Sequence, residues 1–112
     1  MIKNTGDEMN LNIEEREVFL FVDNDGEIYR GMIRPLINNY ARRLVKGDLD
    51  AVKAVKGFVH PVEAGMKKYA REFGPAHWYD LLTVEERKRV ATALLASYSD
   101  EITDRANEIA RK

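Results

Sequence analysis

The chain has 112 residues, of which 45% are hydrophobic and 33% charged, and it contains no cysteine. This length and composition predict one globular domain with its own core, and they exclude a disordered chain, a disulfide scaffold and thiolate chemistry. No apolar run approaches the roughly 18 residues that cross a bilayer, and the first residues lack the pattern of a secretory signal. We therefore expect a cytoplasmic protein that does not enter membranes.

The first predicted element is a helix that begins after a polar start. Residues 1–11 show no periodicity, which predicts a flexible N-terminus. Asn12 has the character of an N-cap, and Glu14 and Glu15 follow it in the first turn, where the helix dipole favours anions. Residues 17–22 are largely apolar and partly β-branched, so they also fit a short buried strand. The capped start favours the helix.

Two longer helices are predicted on either side of Gly47, which ends the first of them. Each contains an interior proline, Pro35 or Pro61, and a glycine stands four residues before each proline, at Gly31 and Gly57. A proline ring clashes with the carbonyl group four residues earlier, and glycine eases the adjustment of the backbone. Because the apolar periodicity continues through both prolines, we expect two kinked helices and not four short ones.

An apolar stripe runs from Val52 to Phe73 along the second of these helices, in steps of three and four residues. It serves either the core of one chain or a homodimer. After a break, Thr83 and Glu86 form the capping box of a last helix. The sequence therefore predicts an all-α fold, a compact bundle of about four helices, in a single domain over residues 12–112.

Charge is distributed unevenly along a chain whose formal net charge is only −1. Residues 1–26 hold two Lys/Arg against seven Asp/Glu, whereas residues 27–73 hold ten against five. These cations pair within the fold, or they form a basic surface that binds an acidic protein or the phosphates of a nucleic acid. The candidate binding residues are Arg30, Arg34, Arg42, Arg43, Lys46, Lys53, Lys56, His60, Lys67 and Arg71.

Two aromatic residues, Trp78 and Tyr79, form a second candidate contact site. Tryptophan and tyrosine are favoured anchors in protein interfaces. The alternative is that Trp78 closes one end of the helical core.

The sequence contains no complete catalytic motif. The turn Asp23-Asn-Asp25-Gly26 follows an apolar segment and resembles the first motif of haloacid-dehalogenase-type phosphotransferases, where the first aspartate is the nucleophile. That chemistry also needs a lysine and further acidic residues at the ends of later parallel strands, and no later segment has the pattern of such a strand. The two histidines, His60 and His77, lack the spacing of metal ligands. We therefore expect no catalytic residue, no metal, no cofactor and no enzymatic activity.

One resemblance covers roughly residues 17–90. The residues that carry it are Asn24-Asp-Gly26, Tyr29, Pro35, Asn38 or Asn39, Gly47, Ala54-Val-Lys56, Lys68-Tyr69, Phe73 and Trp78. With them the chain resembles small accessory proteins encoded in phage and prophage genomes, which share an N-D-G-x-x-Y turn followed by proline-containing helices. The resemblance implies a non-enzymatic protein of a mobile element in the cytoplasm of its host. We expect it to bind a host protein, for example in counter-defence or host takeover; the alternative is a nucleic-acid-binding regulatory module that uses the basic residues between 30 and 71.

Overall fold

A computed structural model describes residues 10–112, and these residues form five helices and no strand. The expected all-α fold is thereby confirmed. The helices are α1 (Ile13–Asp23), α2 (Gly26–Ile28, Tyr29–Ile33 and Arg34–Lys46 in one continuous run), α3 (Ala51–Phe73), α4 (Val84–Ser97) and α5 (Ser99–Ala110). The expected flexibility of residues 1–11 falls, up to residue 9, outside the described part of the chain.

Helix α1 includes the segment for which a strand was the alternative. The Asn12 side chain accepts a hydrogen bond from the Glu15 backbone N–H at 2.8 Å, and the Glu15 carboxylate accepts one from the Asn12 N–H at 2.9 Å. This capping box starts the helix, and its period then buries Val18 and Val22 while it leaves Leu20 44% exposed. The short strand over residues 17–22 is therefore wrong, because these residues bury one helical face.

Helix α2 changes its hydrogen-bond register before its proline. The backbone N–H of Arg34 donates to the carbonyl of Tyr29, five residues earlier, so Tyr29–Ile33 is a π-helical segment. Pro35 follows directly and has no backbone N–H to donate. The π-helical segment therefore precedes the one residue that cannot make the hydrogen bond of an ordinary α-helix. Gly47 ends the helix in the left-handed region, at φ 78°.

Helix α3 runs without interruption through Pro61 and approaches its neighbours at two glycines. A Cβ atom added at Gly57 would lie 2.1 Å from the Tyr40 hydroxyl oxygen, and one added at Gly65 would lie 2.2 Å from the Val22 Cγ2 atom. At Gly31 in α2, an added Cβ would meet no atom within 4 Å. The two glycines that precede the prolines therefore have different surroundings, since only Gly57 is a point of close packing.

The expected last helix is divided into α4 and α5. The division falls at Tyr98, whose hydroxyl donates to the Asp23 carboxylate at 3.0 Å and whose ring packs against Phe58 with centroids 6.3 Å apart. Burial, followed by the neighbouring Asp23 charge, raises the pKa of Tyr98 far above its ordinary value. The bundle therefore has five helices, because one aromatic residue turns the chain where it meets α1 and α3.

Helix α3 is the longest element of a body that measures 48 × 27 × 24 Å. It contacts α1, α2 and α4, while α5 packs mainly on α2. A row of aromatic side chains crosses the middle of the core, with centroid distances of 5.9 to 6.3 Å between neighbours. Its members, in order, are Tyr29, Tyr98, Phe58 and Tyr40.

Polar contacts join the N-terminal ends of α1 and α4. The Asn12 amide donates to the Glu86 carboxylate at 3.1 Å, and Arg89 binds the buried Glu15 carboxylate at 2.7 Å. Thr83 and Glu86 form the second capping box, as the sequence predicts. The Glu86 carboxylate accepts a hydrogen bond from the Thr83 backbone N–H, and this is the main cause that holds the pKa of Glu86 below its ordinary value. Two helix starts that look independent in the sequence are therefore one polar cluster.

Candidate partner-binding surface

Five of the predicted binding residues lie on one exposed face of α3, which we call the basic ridge. They follow each other at intervals of three, four and seven residues, so that helical geometry places them within one narrow strip about 27 Å long. The members of the ridge are Lys53, Lys56, His60, Lys67 and Arg71, and all five are exposed. Among residues 10–112, no ion pair involves any of them, so the charges of its four Lys and Arg side chains are available to a partner.

The three cations at the end of α2 lie beside the start of the ridge. Arg43 and Lys53 line the same cavity of about 350 Å³, and Arg42 and Lys46 line an adjoining one with Arg43. Asp48 borders both cavities and approaches Arg43 at 3.9 Å, and Asp50 borders the larger one. The two aspartates reduce the positive charge here, so the ridge on α3 is the more strongly basic surface.

The first two predicted cations lie apart from this surface, at the π-helical segment. The Arg34 guanidinium stands over the Tyr29 ring, 5.4 Å from its centroid, and the Tyr29 hydroxyl donates to Glu101 of α5. That hydrogen bond is the main cause that raises the pKa of Tyr29. Arg30 lies near Gly26, since a Cβ added there would be 3.0 Å from its guanidinium. Arg30 therefore lies against the start of α2, and Arg34 lies where α2 meets α5.

The aromatic turn after α3 has one inward and one outward residue. Trp78 is partly buried against the core, with Lys67 at 5.1 Å and Arg87 at 5.3 Å from its ring centroid. Arg87 also binds Glu63 at 3.1 Å, which ties this turn to α3. Tyr79 is 53% exposed and stacks on the His77 ring at 5.3 Å. Of the two predicted aromatic contacts, Tyr79 is thus the one that is open to a partner.

The structure also contains an apolar groove that sequence reasoning missed. It lies between α1 and the end of α3, has a volume of about 490 Å³, and is lined by Glu17, Leu20, Phe21, Asn24, Asp25, Tyr69 and Phe73. The Tyr69 ring packs on Phe21 at 5.6 Å and on Phe73 at 4.9 Å, and its hydroxyl donates to Glu17 at 2.6 Å. This hydrogen bond is the main cause that raises the pKa of Tyr69. The signal in the sequence was the length of the α3 stripe, which exceeds that of any helix available to cover it.

The two aspartates of the turn that resembles a phosphotransferase motif bind neighbouring residues of the fold. Asp25 accepts from the Ile28 N–H at 2.9 Å as the cap of α2, and its other oxygen accepts from the Lys68 ammonium at 2.7 Å. Partial burial works to raise the pKa of Asp25, but these two contacts outweigh it and hold that pKa below its ordinary value. Asp23 accepts from the Tyr98 hydroxyl. Within the described part of the chain, no group of three or more acidic or histidine side chains suits a metal ion.

Comparisons with known proteins leave the family open. No protein-family model matches the chain, and neither the comparison with curated proteins nor that with solved structures finds a match. The resemblance to phage accessory proteins therefore stays a prediction. Over residues 10–112, no helix is both long and apolar enough to cross a bilayer.

Proposed function

We propose that this protein is a non-enzymatic accessory protein of phage type that works in the cytoplasm of its host by binding a host protein. The basic ridge is the contact surface, and the partner presents an acidic surface to it. The observation that supports this proposal is that Lys53, Lys56 and Arg71 are exposed, lie on one face of an uninterrupted helix and have no ion pair with the other described residues.

A ridge on an uninterrupted helix suits protein recognition for a physical reason. The helical backbone already fixes the spacing of its charges, so this surface loses little backbone entropy when it binds a partner with matching carboxylates. Complementary charge also accelerates association and disfavours partners of the wrong sign. Tyr79 is exposed and packs edge-on against Trp78, which borders Lys67 of the ridge, so Tyr79 adds an aromatic contact near the charged surface.

Affinity capture with mass spectrometry tests the proposal. The tagged protein is incubated with a nuclease-treated host lysate, so that proteins bridged by nucleic acid are not recovered. The double variant Lys53→Glu/Lys56→Glu should lose the partner that the wild type retains. The control is Arg105→Glu/Arg111→Glu, which makes the same change in net charge within α5 and at the residue that follows it, away from the ridge. Equal recovery with both double variants would argue against the ridge.

A nucleic-acid-binding module is the second candidate, and one observation favours it. His77 and Tyr79 form an exposed stack beside Trp78, which itself borders Lys67 of the ridge. Aromatic rings next to a line of cations are the features with which proteins bind single-stranded nucleic acid. On this reading, the anisotropy of a labelled single-stranded oligonucleotide rises on binding, and the affinity falls steeply with salt. The variants Tyr79→Ala and Lys53→Glu/Lys56→Glu should each weaken it, and unchanged affinity in both would dispose of this function.

A further inference from the structure

We propose that His60 makes partner binding by the basic ridge dependent on pH, because its protonation joins two separate pairs of cations into one continuous charged surface. Since this concerns the regulation of the ridge, it rests on the proposed function of that surface. It depends on the place of His60 among the other members of the ridge and on the groups that surround it.

The permanent charges of the ridge form two pairs with a gap between them. Lys53 and Lys56 lie near the start of α3, and Lys67 and Arg71 lie near its end. The eleven positions from Lys56 to Lys67 correspond to about 16 Å along the helix axis. At roughly 0.1 M salt the Debye length is about 10 Å, so exposed charges this far apart are largely screened from each other. A partner therefore meets two pairs of charges that act almost independently.

His60 lies in this gap, on the same exposed face as the four cations. It stands four positions after Lys56 and seven before Lys67, which correspond to about 6 and 10 Å along the helix axis. A protonated His60 is therefore within about one Debye length of both pairs. Ala64 follows it by one turn and is small and uncharged, so His60 is the one residue of the gap that can supply a positive charge to the ridge.

The acidic groups that contact α3 have partners other than His60. Glu63 stands one turn after His60, but its carboxylate is bound by Arg87 of α4 at 3.1 Å. The acidic side chains that reach α3 from α1 and from the start of α2 bind residues further along it; they are Glu17 with Tyr69, and Asp25 and Glu27 with Lys68. The aromatic turn meets the ridge at Lys67, through Trp78. Lys56 is thus the charged neighbour of His60 on the ridge side.

The protonation of His60 is therefore linked to the partner. An exposed histidine changes its charge between about pH 5 and 8. A carboxylate of the partner placed opposite His60 favours the protonated form of the imidazole. Because such coupling is reciprocal, protonation strengthens binding by the same factor.

Binding of poly-L-glutamate at about pH 6 and about pH 8, on either side of the ordinary histidine pKa of about 6.5, tests the inference. The polymer carries a rhodamine label for fluorescence anisotropy, the ionic strength is fixed, and its carboxylates stay ionised at both pH values because their ordinary pKa is about 4.3. The wild type should bind about threefold more tightly at the lower pH, which is the contribution of one exposed charge pair. His60→Gln should bind at both pH values as the wild type does at the higher one, and His60→Lys as the wild type does at the lower one. Position 60 is exposed, and a thermal melt by circular dichroism checks that both variants are folded.

The matched control is His77→Gln, which removes the other histidine and should keep the threefold difference. Loss of the difference in this control, or its full retention in His60→Gln, would overturn the role of His60. Lys53→Glu/Lys56→Glu separates this inference from the proposed function. If that variant binds more weakly than the wild type while His60→Gln keeps the full pH dependence, only the inference fails. If it binds as well as the wild type at the higher pH, the ridge is not the contact surface, and a wild type that does not bind even at the lower pH would overturn both.

Discussion

Replacing Gly57 with alanine tests the closest contact between α2 and α3. The new Cβ atom would lie 2.1 Å from the Tyr40 hydroxyl oxygen and 3.4 Å from the Leu36 Cδ2 atom. Tyr40 is buried, and its hydroxyl bonds the Ala54 carbonyl at 2.9 Å, so the ring cannot move without breaking that hydrogen bond. The overpacking costs about 2 kcal/mol and the lost hydrogen bond about 1 kcal/mol. Alanine returns about 1 kcal/mol through its better helix propensity.

The expected net effect is a free energy of unfolding that is lower by about 2 kcal/mol, with a melting temperature lower by roughly 8 °C. Urea denaturation followed by circular dichroism measures the free energy directly. The matched control is Gly31→Ala, which stands in the same position relative to a proline but has open space around the new methyl group. That control should leave stability unchanged or raise it by up to about 1 kcal/mol.

A double-mutant cycle with Tyr40→Phe isolates the contact. Removing the hydroxyl leaves the ring carbon at 3.4 Å as the nearest atom of residue 40, which is an ordinary contact. In this background Gly57→Ala should be neutral or raise stability by up to about 1 kcal/mol, so the two substitutions should couple by about 2 to 3 kcal/mol. Additive losses would show that the close approach at Gly57 is not the cause and would refute the reasoning.

Three further predictions concern the contacts that hold the other helices. Gly65→Ala should lower the free energy of unfolding by about 2 kcal/mol in urea denaturation, because the Cβ would lie 2.2 Å from the branched side chain of Val22. Arg89→Ala should lower the free energy of unfolding more than Glu15→Gln. The first substitution leaves a carboxylate that is 1% exposed without its ion-pair partner, whereas the second leaves an arginine that is already exposed to water. Equal losses would contradict this asymmetry. Because the pKa of Glu86 is lower in the folded protein than its ordinary value of 4.5, its carboxylate stabilises the fold at pH values above 4.5, and this stabilisation is lost as the pH falls through the lowered pKa. Glu86→Gln should therefore reduce the dependence of the free energy of unfolding on pH in acid. An unchanged pH profile would contradict the capping contact.

The features that the sequence predicts well are those that depend on neighbouring residues. The N-cap at Asn12, the capping box at Thr83 and the helix end at Gly47 follow from residues within four positions of each other. The basic ridge follows from the period of one uninterrupted helix. The bends expected at Pro35 and Pro61 stay predictions.

The features that the sequence does not reveal depend on distant residues. The break at Tyr98 lies where its hydroxyl reaches Asp23, 75 positions earlier. The π-helical segment changes the helical register, so Arg30 cannot be assigned to the same face as Arg42 by counting in steps of the ordinary helix. The groove beside Phe73 depends on where α1 lies against the end of α3, and that placement becomes visible only after the helices are packed.

The ridge and the groove have opposite charge and lie on opposite sides of α3. Lys67 and Arg71 are four positions apart on one side, whereas Tyr69 and Phe73, also four apart, face the groove.

The affinity of the captured host protein for charge-reversed variants tests the central claim most directly. Binding of the purified partner is measured by isothermal titration calorimetry at one fixed ionic strength for the wild type, Lys53→Glu/Lys56→Glu and Arg105→Glu/Arg111→Glu. The account predicts that the ridge variant binds at least about tenfold more weakly, while the α5 variant keeps an affinity near that of the wild type. An unchanged affinity in the ridge variant, or an equal loss in both, would contradict the assignment of the α3 ridge as the partner-binding surface.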